Sequence, residues 1–242
     1  MPSKPSFNLA LVTGSTSGLG KAMADFLEEK GIQVIRTGSK QVNLADPSMR
    51  KKLLEEITEK KPDLIINNAG LGFYGLSVDL PIADQLTVVE VNCNALLEIS
   101  LHAAKTLLKA GKGGTILNIS SAGAFFAFPT FNAYCASKAF VNHFSLALDL
   151  ELKEKGIRVL CACPGQIATN FRTRAAKGFP QKTDKRTISI EKAVQYLWKQ
   201  IQKQKPLYIF DWKTRLMVWL TRLFPRALLN KALLKSLKDR YK

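Results

Sequence analysis

The chain predicts an α/β fold: a single domain built on a doubly wound parallel sheet of seven strands, with helices on both faces. Three observations carry that expectation. Short apolar runs alternate with helical patterns along the chain, as in successive βαβ units. A glycine-rich turn, Thr13 to Gly20, joins the first apolar run to the first helical pattern. The 242 residues are 46% hydrophobic, enough to fill the core of one large domain.

The elements follow in order. Asn8 to Val12 is a short apolar run before Gly14, the pattern of a buried strand. From Gly18 to Lys30, Ala22, Phe26 and Leu27 recur at helical spacing, and Gly31 stops the helix. Ile32 to Arg36 reads as the second strand and Gln41 to Leu44 as a short third. Asp46 and Pro47 open a helix, as cap and first turn, that runs to about Lys60. Asp63 to Asn67 is a strand, followed by a long helical pattern from Ile82 to Leu108. Thr115 to Ser120 is a strand, Thr130 to Lys155 a second long helix, and Arg158 to Cys163 a strand ended by Pro164-Gly165. A loop-rich basic stretch covers 170–189; a helix from Ile190 to Gln202, a strand from Leu207 to Phe210 and a helical tail complete the chain. Residues 1–205, with loop 170–189, are expected to form the main body. Residues 206–242 add the last strand and a basic helical tail of the same domain.

Cys93, Cys135, Cys161 and Cys163 are the four cysteines. Met1 to Ser6 carries no secretory pattern. Cys161 and Cys163 are two apart on one strand face, where local pairing is geometrically poor, and no histidine or cysteine pair completes a metal site. All four are read as reduced, which implies a reducing, cytoplasmic setting. The net charge of +17 is uneven: residues 170–242 hold 19 basic and 4 acidic side chains, so the first 169 residues are near neutral. No window reaches the ~18 unbroken apolar residues of a spanning helix.

Thr13-Gly14-Ser15-Thr16-Ser17-Gly18-Leu19-Gly20 sits between strand and helix. Glycines there permit a tight turn and close approach of a diphosphate, and the helix N-terminus offers free N–H groups. Tyr134 and Lys138 are an i, i+4 pair, which on a helix puts both on one face ~6 Å apart. A free phenol has a pKa of ~10, and an ammonium beside it stabilises the phenolate and lowers that value. Such a tyrosine can give a proton to a carbonyl oxygen or take one from an alcohol. Ser121, 13 residues upstream at a strand end, supplies a hydroxyl to hold the substrate oxygen.

The pattern Thr-Gly-x-x-x-Gly-x-Gly resembles the cofactor fingerprint of the short-chain dehydrogenase/reductase family, which has a Rossmann fold. Further family elements follow in order: Asn67-Asn68-Ala69-Gly70, Asn92, Ser121 with Tyr134-x-x-x-Lys138, and Pro164-Gly165 with Thr169. The resemblance covers residues 8 to about 170 well. It implies an oxidoreductase interconverting a carbonyl and a secondary alcohol, with Asn92, Ser121, Tyr134 and Lys138 catalytic. Asn92 would hold a water in a proton relay from Lys138; Asn94 is the competing asparagine. The implied cofactor contacts begin at Gly14, Ser15, Ser17, Gly18, Leu19 and Gly20. They continue through Ser39, Lys40, Asn43 and Leu44, then Asn68, Ala69 and Gly70. Tyr134, Lys138, Pro164, Gly165, Ile167 and Thr169 complete the set. No metal is implied.

An acidic residue at the end of the second strand would bind the ribose hydroxyls of NAD. The segment instead reads Arg36-Thr37-Gly38-Ser39-Lys40, where a hydroxyl beside an ammonium suits a 2′-phosphate, so NADP(H) is favoured over NAD(H). Two departures from the family touch the adenine end: the helix between the second and third strands is missing, and Asn43 stands where an acidic residue is usual.

Loop 170–189 carries Arg172, Arg174, Lys177, Lys182, Lys185 and Arg186, either to meet an anionic substrate such as an acyl thioester carrier or as a solvated lid. In the tail, Trp212, Leu216, Trp219, Leu220, Leu223 and Phe224 recur at helical spacing among Lys213, Arg215 and Arg222. Leu229, Leu233 and Leu237 then share a face. This suits a helix on an anionic membrane; packing on the body and oligomer contact are the alternatives. No specific nucleic-acid partner is expected. The tail suggests an apolar ketone or 3-oxoacyl substrate reduced with NADPH, and the two long helices suggest a homodimer or homotetramer. The rival reading is a non-catalytic cofactor-binding scaffold or sensor at a membrane surface.

Overall fold

The computed structural model describes residues 5–177 and 187–220, together with Leu234. Its elements are β1 (Leu9–Thr13), α1 (Gly18–Glu29), β2 (Gln33–Thr37), α2 (Pro47–Lys60), β3 (Leu64–Asn67), α3 (Ile82–Val89), α4 (Leu96–Lys109) and β4 (Gly114–Ile119). After these come α5 (Asn132–Leu152), β5 (Ile157–Cys163), α6 (Phe171–Ala176), α7 (Ile190–Lys203), β6 (Leu207–Ile209) and α8 (Trp212–Leu220). The strands form one parallel sheet in the order β2-β1-β3-β4-β5-β6.

Strand alternation divides the core into two layers. Ala10, Val12, Leu64, Ile66, Leu117 and Leu160 face α1 and α7, meeting Met23, Leu27, Leu197 and Ile201. Leu11, Ile65, Ile116 and Val159 face the other way, toward Leu53 and Ile57 of α2, Ile99 and Leu107 of α4, and Leu148 of α5. Strands buried on both faces read as the continuous apolar runs of the sequence.

The expected third strand does not form: among the described residues the sheet has six strands, and Gln41 to Leu44 pairs with none of them. After β2 the chain turns at once, with the N–H groups of Gln41 and Val42 donating to the carbonyl of Gly38 at 2.9 and 2.8 Å. Those bonds bend the backbone away from the edge of β2. Leu44 is drawn into the core instead. Arg50 fixes this short crossover. Its buried guanidinium donates to the Leu44 carbonyl and pairs with Glu90 and Glu98, each at 2.6 Å.

The long helix expected from Ile82 to Leu108 is interrupted: Glu90–Ala95 forms a π-helical turn between α3 and α4. At the amino end of α2, the Asp46 carboxylate accepts from Ser48 N–H and Pro47 occupies the first turn, as the local sequence predicts. In the tail, Val218 of α8 is buried against the sheet, while Trp212, Leu216, Met217 and Trp219 are exposed. The second amphipathic stretch, and Lys182, Lys185 and Arg186 of the basic loop, lie outside the described residues.

Leu117 is wholly buried at the centre of the sheet. Leu117→Ala is expected to lower stability by about 2–5 kcal/mol in denaturant titration, whereas Leu150→Ala, at an exposed position, should change it by less than about 0.5 kcal/mol.

Candidate active site

The carboxyl ends of β1, β3, β4 and β5 meet at one edge of the sheet, and the glycine turn closes over it. Gly14 and Gly18 have φ of 65° and 55°, in the left-handed region that favours glycine. A Cβ on Gly20 would lie 2.3 Å from both the Gly14 carbonyl oxygen and Asn68 Nδ2, so the turn and the end of β3 close on each other with no room for a side chain. Polar bonds lock that approach. Thr13 Oγ1 accepts from the N–H groups of Asn68 and Ala69, each at 3.0 Å, and Asn68 Nδ2 donates to the Thr13 and Gly14 carbonyls at 3.0 and 3.3 Å. Ser15 is buried and bonds the Thr37 carbonyl through both N–H and hydroxyl, tying the turn to β2.

Beneath the turn runs a cavity of about 970 Å³. Most residues expected to meet a cofactor line it: Gly14, Ser17, Gly18, Leu19, Ser39, Asn43, Leu44, Asn68, Ala69, Gly70, Pro164, Gly165, Ile167 and Thr169. Ser15, Gly20 and Lys40 are outside that lining. Ser15 and Gly20 shape the turn from behind, and Lys40 is exposed beside Ser39. Arg36 turns away, pairing with Asp25 and Glu28 of α1 at 2.6 and 2.7 Å. A glycine cradle at a helix start, without room for a Cβ, fits a dinucleotide diphosphate.

Ser121, Tyr134 and Lys138 line the same cavity. Ser121 follows β4 and caps a short turn over Ala122–Phe125, its Oγ accepting from Gly123 N–H at 3.0 Å. Its hydroxyl also stabilises the phenolate form of Tyr134. Tyr134 and Lys138 project from the first turns of α5. The Lys138 amine is buried, donates to the Ile119 carbonyl at 2.8 Å and lies 5.7 Å from the centre of the Tyr134 ring.

Desolvation dominates both groups. It raises the Tyr134 phenol above its ordinary value, with the Ser121 hydrogen bond opposing, and lowers the Lys138 ammonium to about 8. The lowering of the phenol expected from its lysine neighbour is therefore not realised in the protein alone: burial outweighs it. Lys138 is thus poised to exchange a proton near neutrality.

Asn92 is fully buried and does not line the cavity. Its Oδ1 accepts from Leu71 N–H, and its Nδ2 donates to the Leu71 carbonyl and to Ser137 Oγ, all at 2.9 Å. A Cβ on Gly70 would lie 3.3 Å from Asn92 Oδ1 and 3.4 Å from Lys138 Nζ, so these two polar atoms flank one glycine. Asn94, the competing residue, is exposed and bonds Glu90. The π-turn carries Asn92 into the protein between Leu71 and Ser137.

Sequence reasoning missed the aromatic wall. Tyr74 stacks on Phe131 with ring centres 3.9 Å apart, Phe131 stacks on Tyr134 at 4.3 Å, and Phe171 tilts against Tyr134 at 5.5 Å. Phe128 joins them on the cavity surface. Gly72 makes the stack possible, because a Cβ there would stand 2.8 Å from the Phe131 ring and 2.9 Å from that of Tyr134. The i, i+3 spacing of Phe131 and Tyr134 was the available signal. Tyr74, in a loop without periodicity, had none. The four cysteines are all buried and free.

A sequence profile described as short chain dehydrogenase matches residues 36–178. Serine 3-dehydrogenase of Rhizobium radiobacter is 31% identical over 195 residues, 72% of this chain and 78% of that protein. The 3-oxoacyl-[acyl-carrier-protein] reductase FabG of Haemophilus influenzae is 31% identical over 183 residues, 67% of this chain and 75% of its own. A short chain dehydrogenase from Burkholderia cenocepacia J2315, solved in complex with NADP, superposes with a TM-score of 0.78 at 22% identity. That alignment covers 94% of this chain and 97% of that one, a likeness of fold. The chain belongs to the short-chain dehydrogenase family. It is accordingly an NAD(P)-dependent oxidoreductase.

Proposed function

We propose that the chain is an NADPH-dependent reductase of apolar ketones or 3-oxoacyl compounds, with Ser121, Tyr134, Lys138 and Asn92 as its working residues. The observation that carries this reading is the convergence of the Ser121 hydroxyl, the Tyr134 phenol and the Lys138 amine on a cavity roofed by the glycine turn. A bound nicotinamide dinucleotide supplies the hydride. Ser121 Oγ holds the carbonyl oxygen, Tyr134 Oη delivers a proton to that oxygen, and Lys138 restores the proton to Tyr134. Asn92 acts behind them by fixing the Leu71 backbone and the flank of Lys138. The aromatic wall excludes water and supports an apolar substrate body.

The preference for NADPH rests on Ser39 and Lys40 and on the lack of a carboxylate after β2. With Arg36 committed to α1, Lys40 is the cation proposed to meet the 2′-phosphate. We also propose a homodimer or homotetramer formed through α3, α4 and α5, on which Ile82, Leu86, Phe140 and Leu150 are exposed. Peripheral attachment to an anionic membrane from a cytoplasmic setting is proposed for the basic tail, whose α8 exposes Trp212 and Trp219 at 59% and 56%. Among the described residues no helix is long and apolar enough to cross a membrane.

The experiment is NADPH oxidation with a panel of ketones and 3-oxoacyl thioesters. Tyr134→Phe should lower kcat by about 10²- to 10⁴-fold; equal rates for variant and wild type overturn the mechanism and favour the scaffold reading. The free-enzyme profile has a defined sign. Lys138 must be protonated to supply the proton, so kcat/KM for reduction should fall as pH rises through about 8. In the same assay Lys40→Ala should weaken NADPH about tenfold and NADH little. Vesicles containing phosphatidylserine should carry the full chain to the top of a flotation gradient, and a chain ending at residue 211 should stay behind; flotation of both would remove the tail from the attachment.

A further inference from the structure

The charge of the cavity is one-sided. Among the described residues, its lining holds Lys138, Arg172 and Arg174 and no aspartate or glutamate. Lys138 stands at the catalytic end, whereas the two arginines come from α6, the helix that adds Phe171 to the aromatic wall. Arg174 follows Phe171 by three residues, which puts the two on one face of that short helix. The Phe171 ring is 5.5 Å from that of Tyr134. Arg174 therefore belongs to the substrate end of the cavity.

The helix that carries it is anchored at several points. Ala175 and Ala176 are buried, and the Ala175 carbonyl accepts from Tyr74 N–H at 2.8 Å. Lys177 pairs with Asp84 of α3 at 2.7 Å and lies 4.5 Å from the centre of the Phe73 ring. The side chain itself is uncommitted. Arg36, Arg50 and Arg158 are each held by carboxylates. The Arg174 guanidinium makes no hydrogen bond or ion pair with the described residues, although it borders the cavity. Arg174 is exposed where it borders the cavity, and an unpaired guanidinium at such a rim is a receptor for a carboxylate or phosphate, which it can bind through two parallel N–H donors.

We propose that Arg174 binds an anionic group on the substrate, so that the enzyme selects oxo acids, or oxoacyl compounds on a phosphate-bearing carrier arm, over neutral ketones. The proposal rests on the reductase reading for its carbonyl and adds the chemistry at the opposite end of the molecule. Carboxylate and phosphate share the same recognition, and the experiment separates them.

Two substrate pairs are compared on the full chain: 3-oxobutanoate with its methyl ester, and 3-oxobutanoyl-coenzyme A with the phosphate-free N-acetylcysteamine thioester. Affinity is read by calorimetry in the presence of NADP⁺, where no reduction occurs, and kcat and KM with NADPH. The anionic member of at least one pair should bind tenfold or more tightly than its neutral counterpart. A preference within the first pair marks the carboxylate; one within the second marks the phosphate. Arg174→Met should abolish the preference, chiefly through KM, while Arg174→Lys restores part of it. Recovery by charge is an effect that a merely structural arginine would not give. Equal binding within both pairs overturns the proposal, as does a preference that survives in Arg174→Met. A tenfold loss of NADPH affinity in Arg174→Met also overturns it, because the guanidinium would then serve the cofactor. Preferential binding without turnover, with wild type no faster than Tyr134→Phe, would overturn the reductase reading while leaving the anion preference standing.

Discussion

The contact on which the site depends is the closure of the first βα turn onto the end of the neighbouring strand β3. Asn68 donates to the hydroxyl and to the carbonyl of Thr13 across it, and Gly20 fits only because it has no side chain. That closure sets the roof of the cavity and aims the start of α1 into it. It also leaves Gly70 bare between Asn92 and Lys138, whose polar atoms both lie within 3.4 Å of where its Cβ would stand. Parallel strands make this possible, because their carboxyl ends share one edge where backbone groups are no longer consumed by the sheet.

Below that roof, burial decides the chemistry. An amine held against a backbone carbonyl, with its neighbours mostly apolar or neutral, loses part of its preference for charge. A phenol in the same surroundings loses part of its acidity. The two shifts run in opposite directions, so a proton shared between the groups rests on the Tyr134 phenol, and the Lys138 ammonium is the one that gives its proton up. The aromatic stack from Tyr74 through Phe131 to Tyr134 sustains the low polarity and orients the reacting ring at once. Helix α6 adds Phe171 to that stack and Arg174 to the lining of the same cavity.

Much of the site was legible before any coordinates, because its residues are tied to local patterns. The glycines precede a helix, Tyr134 and Lys138 are one helical turn apart, and Ser121 ends an apolar strand. What was misread depended on partners distant in sequence. Gln41 to Leu44 had the apolar content of a strand, but two hydrogen bonds to Gly38 turned it away from the sheet edge. The pattern from Ile82 to Leu108 kept its period across Glu90 to Ala95, and only the packing of Asn92 against Leu71 and Ser137 reveals the π-turn. Arg36, which precedes the expected contacts Ser39 and Lys40 without being one of them, is held by two carboxylates of α1.

The sequence alone determined the layered α/β class, the order of its elements and the identity of the polar groups at strand ends. These follow from hydrophobic period and from backbone needs that only particular residues meet. Tertiary structure alone decided the number of strands, the aromatic wall, the retreat of Asn92 behind the cavity and the direction in which each proton-carrying group is shifted. Those properties depend on which distant atoms exclude water from a given side chain, and no spacing within one segment encodes that.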